Sequence, residues 1–238
     1  MKMKKYLFCV VLFSSFCGTF NSQTITGKDY SISAHNSGLV RQIAFEKNYK
    51  KNLTDTDLKD IDGSPYISPL FVSAKISNIP ELQRIRYNAL EDEIQLNIND
   101  VIYILNKDPN IFAEQIDSKP VRILYMNYPV ENKNVDGYLF ELFSNSKMSL
   151  LERKKVIFQD AVPSKNPIAQ EKSAKFVVEP SLYLIKFEDG TIVEFPEKKK
   201  EILKLFPEKV DIINNYFKSN KMDTKNPKTI IGLLQAIN

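Results

Sequence analysis

The chain has 238 residues, 43% of them hydrophobic, which is enough apolar material for one packed domain or two small ones. Its formal net charge of +4 at pH 7 comes largely from residues 1–22, which hold three lysines and no acidic residue, so the remainder carries about +1. A near-neutral body has no strong field to collect phosphates, and we therefore expect no nucleic-acid partner.

Residues 1–22 have the pattern of a secretory signal peptide, with early lysines followed by an apolar run from Tyr6 to Phe16. This run is about a dozen residues long, whereas a membrane-spanning helix needs roughly 20, so we expect a cleaved leader and no transmembrane segment after its removal. Cys9 and Cys17 are the only cysteines and both lie in this segment, so the mature protein is expected to lack disulfides and thiolate sites. The sequence predicts a secreted protein that is periplasmic, outer-membrane-associated or extracellular.

Residues 23–62 are polar and become acid-rich toward their end, which predicts a loosely held N-terminal arm. Apolar residues recur at helical spacing between Leu39 and Ala44, so we expect one short helix within this arm.

Residues 63–196 contain short β-branched and aromatic runs separated by turn residues, which is typical of an antiparallel sheet. The segments predicted as strands are residues 70–76, 83–88, 93–97, 101–105, 121–127, 138–143, 182–188 and 191–195. Residues 152–159 fit either a strand or a helix, and Val156, Ile157 and Phe158 favour a strand. We expect the last two strands to join through a tight primed turn at Asp189-Gly190, because that dipeptide readily takes positive φ.

From residue 197 the apolar spacing changes from two to three or four, which predicts two or three helices over residues 197–238. Pro207 suits the first turn of one helix, and Asn226-Pro227 supplies a capping residue followed by a proline at the first helical position. The predicted fold class is therefore α+β. It consists of a mainly antiparallel sheet, either a meander or a partly closed barrel, followed by a C-terminal helical segment.

Three kinds of functional site fail on their residue patterns. The acidic cluster before Gly63 lacks the first carboxylate and the last glutamate of a calcium loop, because Leu58 and Pro69 stand at those positions. His35 is the only histidine, which excludes a histidine-based zinc site, and the chain has no Gly-x-Ser-x-Gly elbow for a serine hydrolase. We therefore predict no catalytic residue, no metal site and no cofactor.

The most informative polar group in the predicted sheet is Arg86-Tyr87-Asn88 with Asp92-Glu93 a few residues later. We interpret it as a structural lock on a hairpin. Arg86 would reach Asp92 or Glu93, Asn88 would bond the backbone of the turn, and Tyr87 would pack beneath it. In the alternative interpretation, two carboxylates in a confined cleft act as general acid and base, and the protein is a hydrolase of envelope material.

Several further short motifs, taken together with this group, carry a resemblance to a known group of proteins. They are Gly63-Ser64-Pro65-Tyr66, Gly137-Tyr138, Leu150-Leu151 before Lys155-Val156-Ile157-Phe158, and Tyr183 before Asp189-Gly190. Together with Arg86-Tyr87-Asn88 and Asp92-Glu93, they make residues 63–238 resemble a recurrent group of uncharacterised exported proteins of Gram-negative bacteria. The resemblance implies the fold and export, and it transfers no catalytic residue.

The sequence predicts a non-enzymatic binding or adaptor module of the cell envelope, because an export signal is combined with tyrosines that offer stacking faces along the strands. The expected partner is an envelope protein or a cell-surface ligand that contacts a sheet face or edge. Two alternatives stay open. One is the carboxylate hydrolase, and the other is a purely structural periplasmic protein, which would lack an exposed apolar patch of several hundred Å².

Overall fold

The computed structural model describes residues 40–42, 61–116, 119–162 and 173–238. The predicted signal peptide, most of the predicted arm and His35 lie outside these ranges. Within the arm, strand β1 (Val40–Gln42) pairs with a later strand of the sheet. The predicted short helix is therefore wrong at these positions.

Most of the described chain consists of short strands. After β1 they are β2 (Val72–Ile76), β3 (Ile79–Asn88), β4 (Glu93–Ile98), β5 (Val101–Leu105), β6 (Phe112–Gln115), β7 (Val121–Val130), β8 (Lys133–Ser144), β9 (Met148–Arg153), β10 (Val156–Gln159), β11 (Lys175–Val178), β12 (Leu182–Phe187) and β13 (Ile192–Glu194). One antiparallel sheet has eleven strands in the order β1-β5-β4-β3-β2-β6-β7-β8-β9-β12-β13, and β10 and β11 form a separate pair. The predicted fold class is confirmed, and the sheet is open because β1 and β13 are its two ends.

The large sheet is built from two meanders joined edge to edge. Strands β2 to β5 pair in succession, and strands β6 to β9 do the same. The pairing of β2 with β6 joins the two meanders. The chain leaves the large sheet at Lys154, because β10 pairs only with β11, so residues 152–159 are not the single strand that their composition predicts.

Three of the hairpin turns show two different geometries. Asn99-Asp100 and Glu131-Asn132 each have two consecutive residues with φ between 49° and 63°, as a type I′ turn requires. The predicted hairpin at Asp189-Gly190 is confirmed, but only Gly190 has positive φ, at 86°. Its N–H donates to the Phe187 carbonyl oxygen at 3.0 Å. The predicted primed geometry is therefore wrong at this turn, where one left-handed glycine follows an ordinary turn.

Side chains alternate across the sheet and form cores on both of its faces. The largest core lies on the face that carries Ile85, Ile94 and Phe140. Leu139 precedes Phe140 in β8, so it points to the opposite face, where it belongs to a smaller core. Strand β13 comes back against β7 around this second core, and the Glu131 N–H donates to the Glu194 carboxylate at 2.8 Å.

The C-terminal helices α1 (Lys199–Leu205), α2 (Val210–Ser219) and α3 (Pro227–Ala236) confirm the predicted helical segment. They pack on β9 and β12 through a third core, in which Ile202, Ile213 and Leu233 have no exposed surface. The Asn226 side chain accepts the Lys228 N–H at 3.0 Å, so the predicted cap of α3 is also confirmed. Among the helices of the described ranges, none combines the length and the apolar character that crossing a membrane requires.

Candidate functional site

The Asp92 carboxylate is the centre of a polar cluster at the turn of the β3–β4 hairpin. Its Oδ1 accepts the Tyr87 hydroxyl at 2.8 Å and the Tyr138 N–H at 3.1 Å. Its Oδ2 accepts Lys107 Nζ at 3.1 Å. Asp92 itself lies in the turn after β3 with a φ of 52°, a left-handed conformation that aspartate tolerates better than most residues. We refer to Asp92, Tyr87, Lys107, Gly137 and Tyr138 as the Asp92 cluster.

Gly137 allows this cluster to close. A Cβ atom at this position would lie 2.9 Å from the Tyr128 hydroxyl oxygen and 3.0 Å from Asp92 Oδ2. Both distances are shorter than normal packing contacts, so a larger residue would push apart the buried Tyr128 hydroxyl and the half-buried Asp92 carboxylate. The Gly137-Tyr138 motif therefore has a packing role at its first residue and a hydrogen-bonding role at its second.

The tyrosines of the cluster act as neutral groups. Burial is the main cause that raises the pKa of Tyr87 and Tyr138 above the ordinary value of 10, and the negative charge of Asp92 raises both further. The Tyr138 hydroxyl is buried and has no hydrogen-bond partner among the described residues. At neutral pH these phenols are donors rather than bases, which suits a structural role.

The Arg86 side chain lies on the face of β3 opposite to that of Tyr87, because neighbouring residues of a strand alternate in direction. Its guanidinium donates to Gln95 Oε1 at 2.7 and 3.2 Å and to the Tyr66 hydroxyl at 3.0 Å. It also lies 3.7 Å from the ring centroid of Tyr66 and 4.5 Å from that of Phe71. The cation that pairs with Asp92 is Lys107. Of the two partners predicted for Arg86, which are Asp92 and Glu93, the structure places Glu93 on the same face of the hairpin as Arg86.

Asn88 has the predicted turn-forming role. Its side-chain oxygen accepts the N–H groups of Leu90 and Glu91 at 3.1 and 3.2 Å, and the residue is fully buried. Glu93 is in register with Asn88, so it belongs to the face that Asn88 shares with Arg86. Asp92 and Glu93 therefore contact different sides of the hairpin and do not form a pair of carboxylates in one cleft.

Two of the motifs behind the sequence resemblance contact this turn. The Pro65 carbonyl accepts the Ala89 N–H at 2.9 Å, and Tyr66 forms a bridge with Asn88. The Val156 N–H donates to the Ala89 carbonyl at 3.1 Å. Segments that are far apart in the chain thus hold the same hairpin.

An apolar groove opens beside the Asp92 cluster, and it is the second candidate site. Buried side chains of Ile85, Tyr87 and Phe140 form its floor, and its recess has a volume of about 120 Å³. At its rim Ile67 and Leu70 are 40% and 73% exposed. Among the described residues that line this groove, Arg86 and Lys154 are the charged ones and none has a carboxylate.

Lys154 connects the groove to the Asp92 cluster. Its Nζ lies 4.3 Å from the centroid of the Phe140 ring and 3.6 Å from Glu152 Oε2. Its carbonyl oxygen is a second acceptor for the Tyr87 hydroxyl, at 3.3 Å. The cluster therefore positions both the floor of the groove and the backbone that carries its lysine.

Within residues 61–116, 119–162 and 173–238, no group of three or more His, Cys, Asp or Glu residues is placed to hold a metal ion. Comparisons of the chain with family models, curated proteins and solved structures give no match. The resemblance to uncharacterised exported proteins of Gram-negative bacteria stays a prediction.

Proposed function

We propose that this protein is an exported, non-enzymatic binding module of the cell envelope, and that the apolar groove is where an envelope protein or cell-surface ligand docks. The exposed rim of the groove carries this proposal. Leu70 keeps 73% of its surface in water beside an open apolar recess. Covering such a surface is favourable by roughly 25 cal/mol per Å² of apolar area, and a purely structural protein has no use for leaving it open.

The alternative of a carboxylate hydrolase has less support. Asp92 already accepts three described hydrogen bonds, from Tyr87, Tyr138 and Lys107. Glu93 is in register with Asn88, on the other side of the hairpin. A pair of carboxylates that divides the roles of acid and base needs both groups at one substrate, and these two side chains do not meet that condition.

The binding proposal can be tested with N-phenylnaphthylamine, an uncharged dye that fluoresces in apolar surroundings. The wild-type protein is expected to bind it, and Leu70→Ser is expected to weaken binding several-fold because it removes the apolar rim. Leu82→Ser is the matched control, since Leu82 is 59% exposed but does not line the groove. Absence of dye binding, or equal loss in both variants, would overturn the proposal.

Export is tested separately by fractionating cells that produce the full chain. The expected result is a shortened protein outside the cytoplasm that begins near residue 23. An intact chain in the cytoplasm that still carries Cys9 and Cys17 would contradict this part of the proposal.

A further inference from the structure

We infer that the groove binds a peptide segment in which an aliphatic side chain lies next to a carboxylate. The side chain enters the recess and the carboxylate binds Lys154. This inference rests on the proposed function, and it names the ligand class of the same groove.

The size of the recess indicates how much of a ligand it can enclose. Its volume of about 120 Å³ is slightly below the roughly 150 Å³ of an apolar cavity that accepts benzene. Val72 adds an apolar wall to the floor that Ile85 and Phe140 form. One aliphatic side chain fits such a space, whereas the greater part of a lipid chain would remain outside it.

The positive charge of Lys154 indicates that the ligand carries a carboxylate next to its aliphatic side chain. The Lys154 ammonium lies over the ring of Phe140 in the floor of the groove, and the Lys154 side chain is 26% exposed. Its described carboxylate neighbour is Glu152 at 3.6 Å, which is longer than a hydrogen bond. The other oxygen of Glu152 accepts the Ser181 hydroxyl at 2.6 Å. The ammonium has three N–H donors, so it can donate to a second carboxylate, supplied by a ligand.

Gln115 distinguishes a peptide from a simple fatty acid. Its side chain lines the groove, and within the described part of the chain no residue hydrogen-bonds to that side chain. A primary amide offers both a donor and an acceptor, which is the complement of a peptide group. An acyl chain has no group that would use either of them, so this side chain favours a peptide ligand.

The carboxylate can come from a chain terminus or from an aspartate side chain, and defined peptides separate the two sources. We would titrate the protein with acetyl-Gly-Ser-Leu as the free acid, the same peptide as the amide, and acetyl-Gly-Asp-Leu-Gly amide, and follow the Gln115 side-chain amide by NMR. The wild-type protein is expected to bind a carboxylate-bearing peptide about tenfold more tightly than the uncharged amide, because a charge-assisted hydrogen bond is made. The tighter of the two acidic peptides identifies the source.

Two neighbouring lysines provide a matched pair of variants. Lys154→Met keeps the aliphatic stem and removes the charge, so it is expected to abolish the preference for the carboxylate. Lys155→Met is the control, because Lys155 pairs with Glu179 at 3.3 Å and does not line the groove. Glu152→Gln removes the competing carboxylate and is expected to raise the affinity for the acidic peptide several-fold.

Equal affinity of the wild-type protein for the acid and the amide would overturn the inference, as would equal effects of the two lysine variants. Binding of dodecanoate that depends on Lys154, without binding of any peptide, would overturn it in favour of a lipid acid. If the uncharged dye binds but no peptide does, the inference fails while the proposed function stands. If neither binds, both fail.

Discussion

In both the Asp92 cluster and the C-terminal helical segment, a tyrosine hydroxyl packs closely against a glycine. The two regions are nevertheless stabilised by different interactions. Tyr128 lies on Gly137 in the sheet, and Tyr216 lies on Gly232 in α3. In the sheet the polar groups of Tyr87, Tyr138 and Lys107 converge on one carboxylate, whereas the helices pack mainly through a shared apolar core. The first region therefore depends on directional bonds, and the second depends on apolar burial, which tolerates small shifts.

The largest effect that separates the two regions is expected from Asp92→Ala. It leaves the Tyr138 N–H and Lys107 without the carboxylate that accepts from them, and it leaves the Tyr87 hydroxyl with the longer bond to the Lys154 carbonyl. We expect the free energy of unfolding, measured with urea at pH 7, to fall by about 2–4 kcal/mol. Asp211→Ala on the exposed start of α2 is the control, with an expected loss below about 1 kcal/mol. Similar losses in the two variants would remove the distinction.

The two glycines allow a direct comparison. Gly137→Ala places its methyl group against the buried Tyr128 hydroxyl and the half-buried Asp92 carboxylate, and we expect it to cost about 1–3 kcal/mol of unfolding free energy. Gly232→Ala meets the tip of the half-buried Tyr216, which can rotate outward, and alanine favours a helix by up to about 1 kcal/mol over glycine. Its unfolding free energy should stay close to that of the wild-type protein. A larger loss for Gly232→Ala than for Gly137→Ala would contradict the comparison.

A smaller effect is expected at the cap of α3. Asn226→Ala removes the acceptor of the Lys228 N–H, and a lost cap of this kind costs about 1 kcal/mol. Asn215→Ala on the exposed face of α2 is the matched control and is expected to cause no loss of stability. Thermal unfolding followed by circular dichroism measures both variants, and equal shifts would mean that the cap contributes nothing specific.

Ionisation of the buried tyrosines does not change the stability of the protein at neutral pH and is expected to lower it only in alkali. The pKa values of Tyr87 and Tyr138 are raised by burial and by Asp92, so their contribution to stability is complete below the unfolded value of about 10 and is lost as the pH rises above it toward the folded pKa. The absorbance of tyrosinate should show exposed tyrosines ionising first and Tyr87 only as the protein unfolds. Tyr87→Phe should remove part of the late step alone. Ionisation of every tyrosine near pH 10 in a folded protein would disprove this.

The sequence predicts elements well where the local pattern and the tertiary structure agree. Residues 101–105 form a strand with the predicted bounds, and Asn226-Pro227 caps a helix as its chemistry requires. Strand β6 is not predicted, because Ala, Glu and Gln in Phe112–Gln115 have low strand preference, and its pairing with β2 and β7 holds it in place.

The candidate site is predicted only in part, for the same physical reason. The bond of Asn88 to its own turn is local, so its residue type and position suggest it. Lys107 reaches Asp92 from the segment after β5, and no local pattern marks that contact. The groove combines side chains from β2, β3, β6, β8 and the residues around Lys154, so it exists only after the two meanders have joined.

The joining of the two meanders also determines the order in which the chain can assemble during synthesis. Strands β2 to β5 are linked by short turns, so they can pair as soon as residue 105 has left the ribosome. Asp92 receives its backbone donor only from Tyr138, 46 residues later, and the contact of Tyr87 with Lys154 spans 67 residues. In a nascent chain that stops before Tyr138, the β3–β4 hairpin can therefore form while the Asp92 carboxylate still lacks the Tyr138 N–H of the second meander.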